Sequence, residues 1–365
     1  MKTNYLLAIL MALTTASPSS FASIEVANNL LFSAFGSTSV TQSDNKTPLF
    51  INREITDKTC YDCDTTLGLQ LDYHFLNNFS SSIQVLKAPQ DEWSKPQIEW
   101  LYAGYEYKQF STKIGKLRIP IFMDSEYAYV AHAFISVRPP QEVYDSIFGI
   151  TSYAGANFTW NQELSDHLSL AVAPYMSFSG KHKAEKGDNN YNFEVNKMLG
   201  IAFDLSSINY RIHFTGSYAD YNYSINNSPT LNDSLMMYSL GGEYSLTDWQ
   251  LKSEVYADDV NTLNWYAQAA YNYKIVTPYI SYGHKYQQLP KVMGIDFGKE
   301  KSHSITTGIR FDVTANISIN TEYQYTKVDQ SNQKLPIGYG QFTKAFVLGE
   351  SKDANLYTLM VNFIL

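Results

Sequence analysis

Apolar and polar residues alternate with a period of two through most of this sequence. In one stretch, Leu67, Leu69 and Leu71 fall on one face, while Gln70 and Asp72 fall on the other. Strict alternation over this length predicts a β-strand with one apolar and one polar face. No stretch shows a convincing helical period of about 3.6. The pattern therefore predicts an all-β protein.

About sixteen strands are predicted in this way. They lie near residues 30–40, 66–76, 79–88, 98–108, 111–119, 153–162, 167–179, 193–205, 208–223, 234–246, 249–258, 262–273, 275–286, 303–313, 316–327 and 354–365. The connections after even-numbered strands are tight, whereas most of those after odd-numbered strands are long. The long connections span residues 41–65, 89–97, 120–152, 180–192, 224–233, 287–302 and 328–353. Only the odd-strand connection at Asp259–Asn261 is short.

Short turns at one end of the strands and long loops at the other are typical of outer-membrane β-barrels, in which the long loops lie outside the cell. A sheet in hydrocarbon cannot leave an edge unpaired, so the first strand must pair with the last. About sixteen strands enclose a bore wide enough for water, whereas about eight are filled by side chains. The sequence therefore predicts a transmembrane antiparallel β-barrel of about sixteen strands.

The N-terminus has the pattern of a secretory signal. Lys2 supplies the positive charge, Leu6–Leu13 the short apolar core, and Ser20-Phe21-Ala22 a cleavage site of small residues. The apolar core is too short to span a bilayer, which needs about 20 residues. We therefore expect a signal peptide over residues 1–22 and a single barrel domain over residues 23–365.

Composition narrows the possible partners. The formal net charge of −8 argues against a nucleic-acid partner, which favours a basic surface. The chain contains 29 Tyr and 20 Phe but 5 Trp. Tyrosine suits a membrane interface, where one end of the ring is apolar and the other is wet.

The stretch Gly115–Tyr144 differs from the other connections because it is long, apolar and charged at once. It carries the cations Lys116 and Arg118, then Pro120, and then a run rich in aromatic and acidic residues. A loop with this composition is predicted to pack inside the barrel, with its apolar residues against the wall and its charges in water.

Several short motifs make the chain resemble the Gram-negative porin family, over essentially the whole length that follows residue 22. These motifs are Phe35-Gly36, Leu67-Gly68-Leu69-Gln70, Gly115-Lys116-Leu117-Arg118 with Pro120, and Arg138-Pro139-Pro140 with Glu142-Val143-Tyr144. The PEFG-type motif of the enterobacterial trimeric porins is absent. In general diffusion porins, the third long loop follows the fifth strand and folds into the bore. The resemblance therefore implies that Ile119–Ser152 forms a constriction.

The resemblance also implies a location and partners. It places the barrel in the outer membrane of a Gram-negative bacterium, surrounded by lipid and lipopolysaccharide. The alternating C-terminal strand is similar to the signal that the outer-membrane assembly machinery reads. Small hydrophilic solutes would pass through the channel. A homotrimer is one possible assembly of the protein.

The charges of the constriction are assigned from the same alternation, since charged side chains on the lipid face are costly. The wall candidates are Lys116, Arg118, Arg211, Lys252 and Arg310, and the loop candidates are Asp124, Glu126, Arg138 and Glu142. Opposed charges there would create a transverse field that orients dipolar solutes and disfavours apolar ones. The alternative is a structural role, in which Arg138 or Arg118 pairs with Glu142 and fastens the loop.

The remaining chemistry is sparse. Cys60 and Cys63 are predicted to form a local disulfide, with two free thiols as the alternative; no metal site is expected there. No cofactor, metal ligand set or catalytic residue is predicted, and an enzyme is not expected. The function that the sequence favours is passive diffusion of small hydrophilic solutes and ions. The alternatives are a channel specific for an oligosaccharide or an oxyanion and, less favoured, a barrel enzyme.

Overall fold

A computed structural model describes residues 23–75, 78–88, 96–186, 189–226, 228–288, 291–292, 295–296, 298–330, 340–347 and 349–365. The expected signal peptide, residues 1–22, lies outside the described residues. Within the described part of the chain, no helix is both long and apolar enough to cross a membrane.

The main sheet contains 18 strands, of which sixteen form a barrel and two are short extensions. The barrel strands are β1 (Leu30–Ser43), β2 (Thr66–His74), β3 (Phe79–Lys87), β4 (Gln97–Tyr107), β5 (Phe110–Arg118), β6 (Ser152–Ser165), β7 (Leu168–Ser177), β8 (Asn189–Ser207), β9 (Tyr210–Ile225), β10 (Leu231–Leu246), β11 (Trp249–Asp258), β12 (Thr262–Tyr271), β13 (Val276–Gln288), β14 (Lys299–Thr314), β15 (Ile317–Gln330) and β16 (Asp353–Ile364).

Each barrel strand pairs antiparallel with its neighbours in sequence, and β16 closes the barrel by pairing with β1. In the closing pair, Phe35 lies opposite Ile364 and Thr38 lies opposite Val361. Closure leaves no strand edge exposed, as a sheet in hydrocarbon requires. The predicted fold class is confirmed, and each of the sixteen barrel strands overlaps one of the predicted ranges.

The remaining elements are short. Ile24–Ala27 pairs with β1, and Gly180–Lys186 pairs with β8. Lys291–Val292 and Ile295–Asp296 form a separate two-stranded sheet. Between β5 and β6 lie three 3₁₀ helices and one turn of α-helix. They span Ser125–Tyr127, Ala131–Ala133, Gln141–Tyr144 (the α-helical turn) and Asp145–Ile147.

The two ends of the barrel differ as the sequence predicts. At one end, the connections 108–109, 166–167, 208–209, 247–248 and 315–316 contain two residues each. Lys108 and Thr247 have φ values of 54° and 51°, as two-residue hairpin turns require. The other end, called the loop end, carries most of the longer connections, including residues 44–65 and 119–151.

The outer surface of the barrel is apolar. On β2, Leu67, Leu69 and Leu71 are 43%, 44% and 41% exposed, whereas the intervening Gln70 is buried. On β16, Leu359 is likewise exposed and its inward neighbours are buried. An exposed apolar face with a polar inner face suits a barrel surrounded by lipid.

Three apolar clusters lie in the lumen. The largest includes Ile121, Phe122 and Tyr256, and joins the connection after β5 to the wall formed by β6–β12. A second cluster packs Leu49 and Phe50, from the connection after β1, against the wall near β15 and β16. A third, smaller cluster lies near β1 and β3. Two long connections therefore fold back onto the wall.

Glycines provide space for aromatic rings on neighbouring strands. The ring of Phe35 covers Gly68, the residue paired with it, and a Cβ at Gly68 would lie 2.1 Å from the ring. Tyr175 covers Gly200 on the adjacent strand in the same way. These pairs explain part of the Phe35-Gly36 and Leu67–Gln70 motifs, since a side chain at position 68 would displace the ring.

We expect Gly68→Val to lower the free energy of unfolding by about 1–3 kcal/mol, because overpacking forces the Phe35 ring out of its position. The measurement is urea unfolding of the refolded protein in lipid vesicles. Gly242→Val is the matched control, since the nearest atom to a Cβ at Gly242 is 4.0 Å away. Equal midpoints for the two variants would contradict the role given to Gly68.

Candidate functional site: the constriction of the barrel

The connection between β5 and β6, residues 119–151, is called the inner loop because it contacts the lumen side of the strands. The Met123 amide donates to the Glu254 carboxylate of β11 at 2.7 Å. The Val137 amide donates to the Glu322 carboxylate of β15 at 3.0 Å. Both carboxylates belong to buried residues on the inner wall. The inner loop therefore reaches both β11 and β15 across the lumen.

Apolar side chains hold the first part of the inner loop. The Phe122 ring lies 4.8 Å from the Tyr144 ring and 6.0 Å from the Tyr256 ring, measured between centroids. Ile121 and Val143 are buried in the same cluster. Removing this apolar surface from water stabilises the loop against β11 and β12.

Arg138 is the most connected residue of the inner loop. Its guanidinium donates to Asp64 at 2.7 and 2.5 Å, and to the Thr358 hydroxyl at 3.0 Å. It also donates to Thr41 at 3.3 Å and lies 3.5 Å from Glu322. With a side chain only 4% exposed, Arg138 is a buried clamp and not a free pore charge.

The partner carboxylate of this clamp comes from the connection after β1. Asp64 also accepts from Arg53 at 2.9 Å, and Arg53 in turn donates to Gln141 of the inner loop at 3.1 Å. Burial alone would raise the pKa of Asp64, but the Arg138 and Arg53 guanidinium groups outweigh it and hold the pKa below its ordinary value. Asp64 therefore stays ionised and links the two loops.

Glu142 does not project into water as expected, because it is buried against the wall. Its carboxylate accepts from the hydroxyl of Ser304 and from the amide of Gln341 at 2.7 Å. A Cβ at Gly283 would lie 2.4 Å from the carboxyl carbon of Glu142. Glu142 thus packs over a glycine of β13 and fastens the loop through neutral donors.

Arg118 is also a fastening residue. It lies 3.1 Å from the Glu99 carboxylate of β4, and its guanidinium stands 4.6 Å from the centre of the Tyr129 ring. Its side chain is 4% exposed. The expectation that Arg118 or Arg138 pairs with Glu142 is wrong, because each guanidinium has another carboxylate partner.

Lys116 is not brought to the constriction. In the strand register it lies opposite Leu101, which is 49% exposed on the outer surface. Its ammonium donates to the Ile98 carbonyl oxygen at 2.6 Å. Ile114, two residues earlier, is 54% exposed on the same face, and Leu117, the next residue, is buried. The alternation of β5 therefore holds up to Lys116 and places it on the outer face. It fails one residue later, where Leu117 and Arg118 are both buried.

Arg310, another of the five wall candidates, contacts the middle of the inner loop. Its guanidinium donates to the carbonyl oxygens of His132 at 2.7 Å and Phe134 at 2.6 Å. It also pairs with Asp312 of its own strand at 2.7 Å. The Arg310 guanidinium therefore divides its donors between the loop backbone, through Nη1, and the Asp312 carboxylate, through Nε and Nη2.

Asp124 is the loop carboxylate that faces wall cations. It pairs with the Lys252 ammonium and lies 3.6 Å from the Arg211 guanidinium. Arg211 also binds Asp204 at 2.8 Å, and Lys252 lies 3.9 Å from Glu243. The Arg211, Asp204 and Glu243 side chains are 27%, 28% and 35% exposed. This group of five is called the charge cluster.

The charge cluster contains both predicted and unforeseen residues. Three of its members, Asp124, Arg211 and Lys252, were assigned to the constriction from the sequence. Asp204 was not, although its inward position on β8 follows from the same alternation. Glu126, predicted beside Asp124, is exposed on the loop.

The lumen contains two cavities at opposite ends. One, of about 700 Å³, reaches the turn at residues 208–209 and is lined by members of the charge cluster and by Arg310 and Asp312. The other, of about 940 Å³, lies at the loop end. We call them the turn-side and loop-side cavities. Among the described residues, none lines both cavities, and residues of the inner loop line each of them.

Cys60 and Cys63 are joined by a disulfide in the connection after β1. Thr41 of β1 exchanges backbone hydrogen bonds with Cys60, at 2.9 and 2.8 Å. The disulfide thus lies beside Thr41 of β1, the residue whose hydroxyl accepts a hydrogen bond from Arg138.

Comparison with known proteins gives a consistent architecture. No family model matches the chain, and no curated protein matches it. OmpF of Salmonella typhi, in a complex with daunomycin, is 12% identical with a TM-score of 0.64, over 94% of this chain and 100% of that one. An anion-selective porin from Comamonas acidovorans is 11% identical with a TM-score of 0.61, over 92% and 99%.

The chain has the porin fold. A third structure with this fold is OmpT, an outer membrane protein of Vibrio cholerae, in its trimer form. It is 13% identical with a TM-score of 0.60, and the match covers 92% of this chain and 99% of that one. At such identities the likeness defines the architecture, while the residues of the constriction must be judged on their own contacts.

Proposed function

We propose that this chain is an outer-membrane porin, a water-filled channel for passive diffusion of small hydrophilic solutes and ions. The observation that carries the proposal is the charge cluster, in which a loop carboxylate faces two wall cations. Unlike Arg138 and Arg118, three of the five side chains keep about a quarter or more of their surface exposed, and Lys252 and Asp124 keep 19% and 11%. Wet, opposed charges in a lumen orient dipolar solutes and disfavour apolar ones.

The surface of the barrel supports a location in the outer membrane of a Gram-negative bacterium, with the loop end outside the cell. Exposed leucines on the outer face would contact lipid, and the lumen would hold water. One similar Vibrio cholerae protein is described in a trimer form, and we include a homotrimer in the proposal. The mass of the folded protein in detergent, measured by light scattering, tests that assembly.

Planar-bilayer recording tests the channel. We expect stepwise currents that rise linearly with voltage and with salt concentration, without saturation, because diffusion needs no tight binding. Protein unfolded by heat is the control, and electrophoretic mobility confirms folding before each recording. Folded protein that inserts into the bilayer without conducting would overturn the proposal.

A further inference from the structure

The loop-side cavity has a different lining from the charge cluster. Its wall is apolar and aromatic, although it lies inside a barrel whose lumen is elsewhere rich in serine, threonine and amide side chains. Residues that line it include Tyr191, Phe193, Tyr221, Tyr223, Leu235 and Met237. The cavity volume of about 940 Å³ is within the range of about 300–1,000 Å³ for small-molecule sites.

Five rings form a continuous surface on one side of this cavity. The Tyr191 and Phe193 rings are stacked at 6.1 Å with an interplanar angle of 7°. Phe148 of the inner loop lies 5.5 Å from Tyr191. Tyr221 and Tyr223 lie 6.0 and 6.4 Å from Phe193. We call these residues the aromatic wall.

The inner loop covers only part of the aromatic wall. Phe148 of the loop packs on Tyr191 and Phe193, and Tyr221 packs against the apolar cluster that contains Phe122. All five residues of the aromatic wall nevertheless stay only partly buried. Faces of partly buried rings offer stacking and cation–π contacts to a bound molecule. The aromatic wall therefore has the properties of a binding surface.

A buried polar group also lines this cavity without a partner. Tyr153 is 2% exposed, and its hydroxyl makes no hydrogen bond to any described residue. A buried hydroxyl without a partner is costly. A bound molecule with a hydrogen-bonding group, either a donor or an acceptor, would satisfy this hydroxyl.

The charges of the lining indicate the sign of the ligand. Asp145, Asp233 and Asp258 line the cavity, with Lys285 as the single lysine or arginine among the described lining residues. Burial raises the pKa of Asp145 to about 6, so the carboxylate is mostly ionised at pH 7.5. Three carboxylates against one ammonium favour a cation.

We propose that the loop-side cavity binds small aromatic amines in their ammonium form. The ring system would stack on the aromatic wall, and the ammonium group would face the carboxylates of the lining. This inference goes beyond the proposed function, because the proposed diffusion rests on the charge cluster and not on the lining of the loop-side cavity.

Equilibrium dialysis of the protein in lipid nanodiscs tests the site, with empty nanodiscs as the background. The probe is 2-naphthylmethylammonium, compared with methylammonium and 2-naphthoate at pH 7.5. We expect saturable binding of the first probe and at least about tenfold weaker binding of the other two, because each loses either the stacking or the charge contact.

The double variant Phe193→Ser/Tyr223→Ser should weaken binding of 2-naphthylmethylammonium by about tenfold. Phe214→Ser/Tyr238→Ser is the matched control, since it removes the same ring types from the outer surface, where they are 39% and 43% exposed. Both variants must show the folded electrophoretic mobility. Equal binding by both variants, or tighter binding of 2-naphthoate, would overturn the inference.

The dialysis does not depend on conduction, so the two proposals fail separately. Protein that binds the probe but carries no current would leave the site in place and remove the proposed function. Protein that conducts but binds the three probes equally would do the reverse.

Discussion

Arg138→Ala is expected to lower the free energy of unfolding by about 3–5 kcal/mol, because it leaves Asp64 and Glu322 buried without their common cation. The inner loop also loses the contacts of Arg138 with Thr41, Thr358 and Glu322 on the wall. Single-channel conductance should therefore rise and become noisier than that of the wild type. Urea unfolding in vesicles and bilayer recording measure the two effects.

Two further variants test whether this loss of stability depends on the burial and the forked geometry of Arg138. Lys46→Ala removes another ion pair, with Glu350 at 3.3 Å, but the Lys46 side chain is 63% exposed and the loss should be below about 1 kcal/mol. Arg138→Lys keeps the charge and loses the forked geometry, so it should fall between wild type and alanine. An Arg138→Ala protein with wild-type midpoint and conductance would refute the clamp.

Reversing both wall cations of the charge cluster, in Arg211→Glu/Lys252→Glu, should change ion selectivity more than any other pair of substitutions proposed here. The two new carboxylates would join Asp124, Asp204 and Glu243, and the charge cluster would lose both of its own cations. Charges a few ångströms apart interact by about 1–4 kcal/mol near a wet surface. We expect the cation-to-anion permeability ratio to rise at least about tenfold, as measured by reversal potentials under a KCl gradient.

The control for charge alone is Lys181→Glu/Lys183→Glu, on the short strand that pairs with β8 at the loop end. It changes the net charge by the same amount, but Lys181 is 81% exposed and distant charges are screened within about 10 Å at 0.1 M salt. A reversal potential that moves equally in both variants would show that overall charge, and not the charge cluster, governs selectivity.

The barrel could be predicted from the sequence because its rule is local. In β2, the alternation of Leu67, Leu69 and Leu71 with polar neighbours depends only on the pleat and on lipid outside the sheet. The same rule assigned Arg211 and Lys252 to the lumen. It fails between Leu117 and Arg118, which are both buried, so Lys116 and Arg118 do not share a face.

The contacts of the inner loop could not be predicted in the same way. Arg138 pairs with Asp64, which lies 74 residues away in the sequence. The adjacent Val137 amide donates to Glu322, which lies 185 residues away. No periodicity relates such positions, and the sequence offers only the nearby Glu142 as an alternative partner for Arg138 or Arg118. One signal was available: the connection after β1 combines apolar Leu49–Ile51 with Arg53, the same mixture that marked the inner loop.

The position of the Arg138 clamp has a consequence for assembly of the barrel. Thr41, Thr358 and Glu322 belong to β1, β16 and β15, so the clamp spans the seam at which the first and last strands meet. These strands are about 300 residues apart in sequence, and pairing at such separation is the slowest to form. The full set of Arg138 contacts can therefore form only when the first and last strands have met.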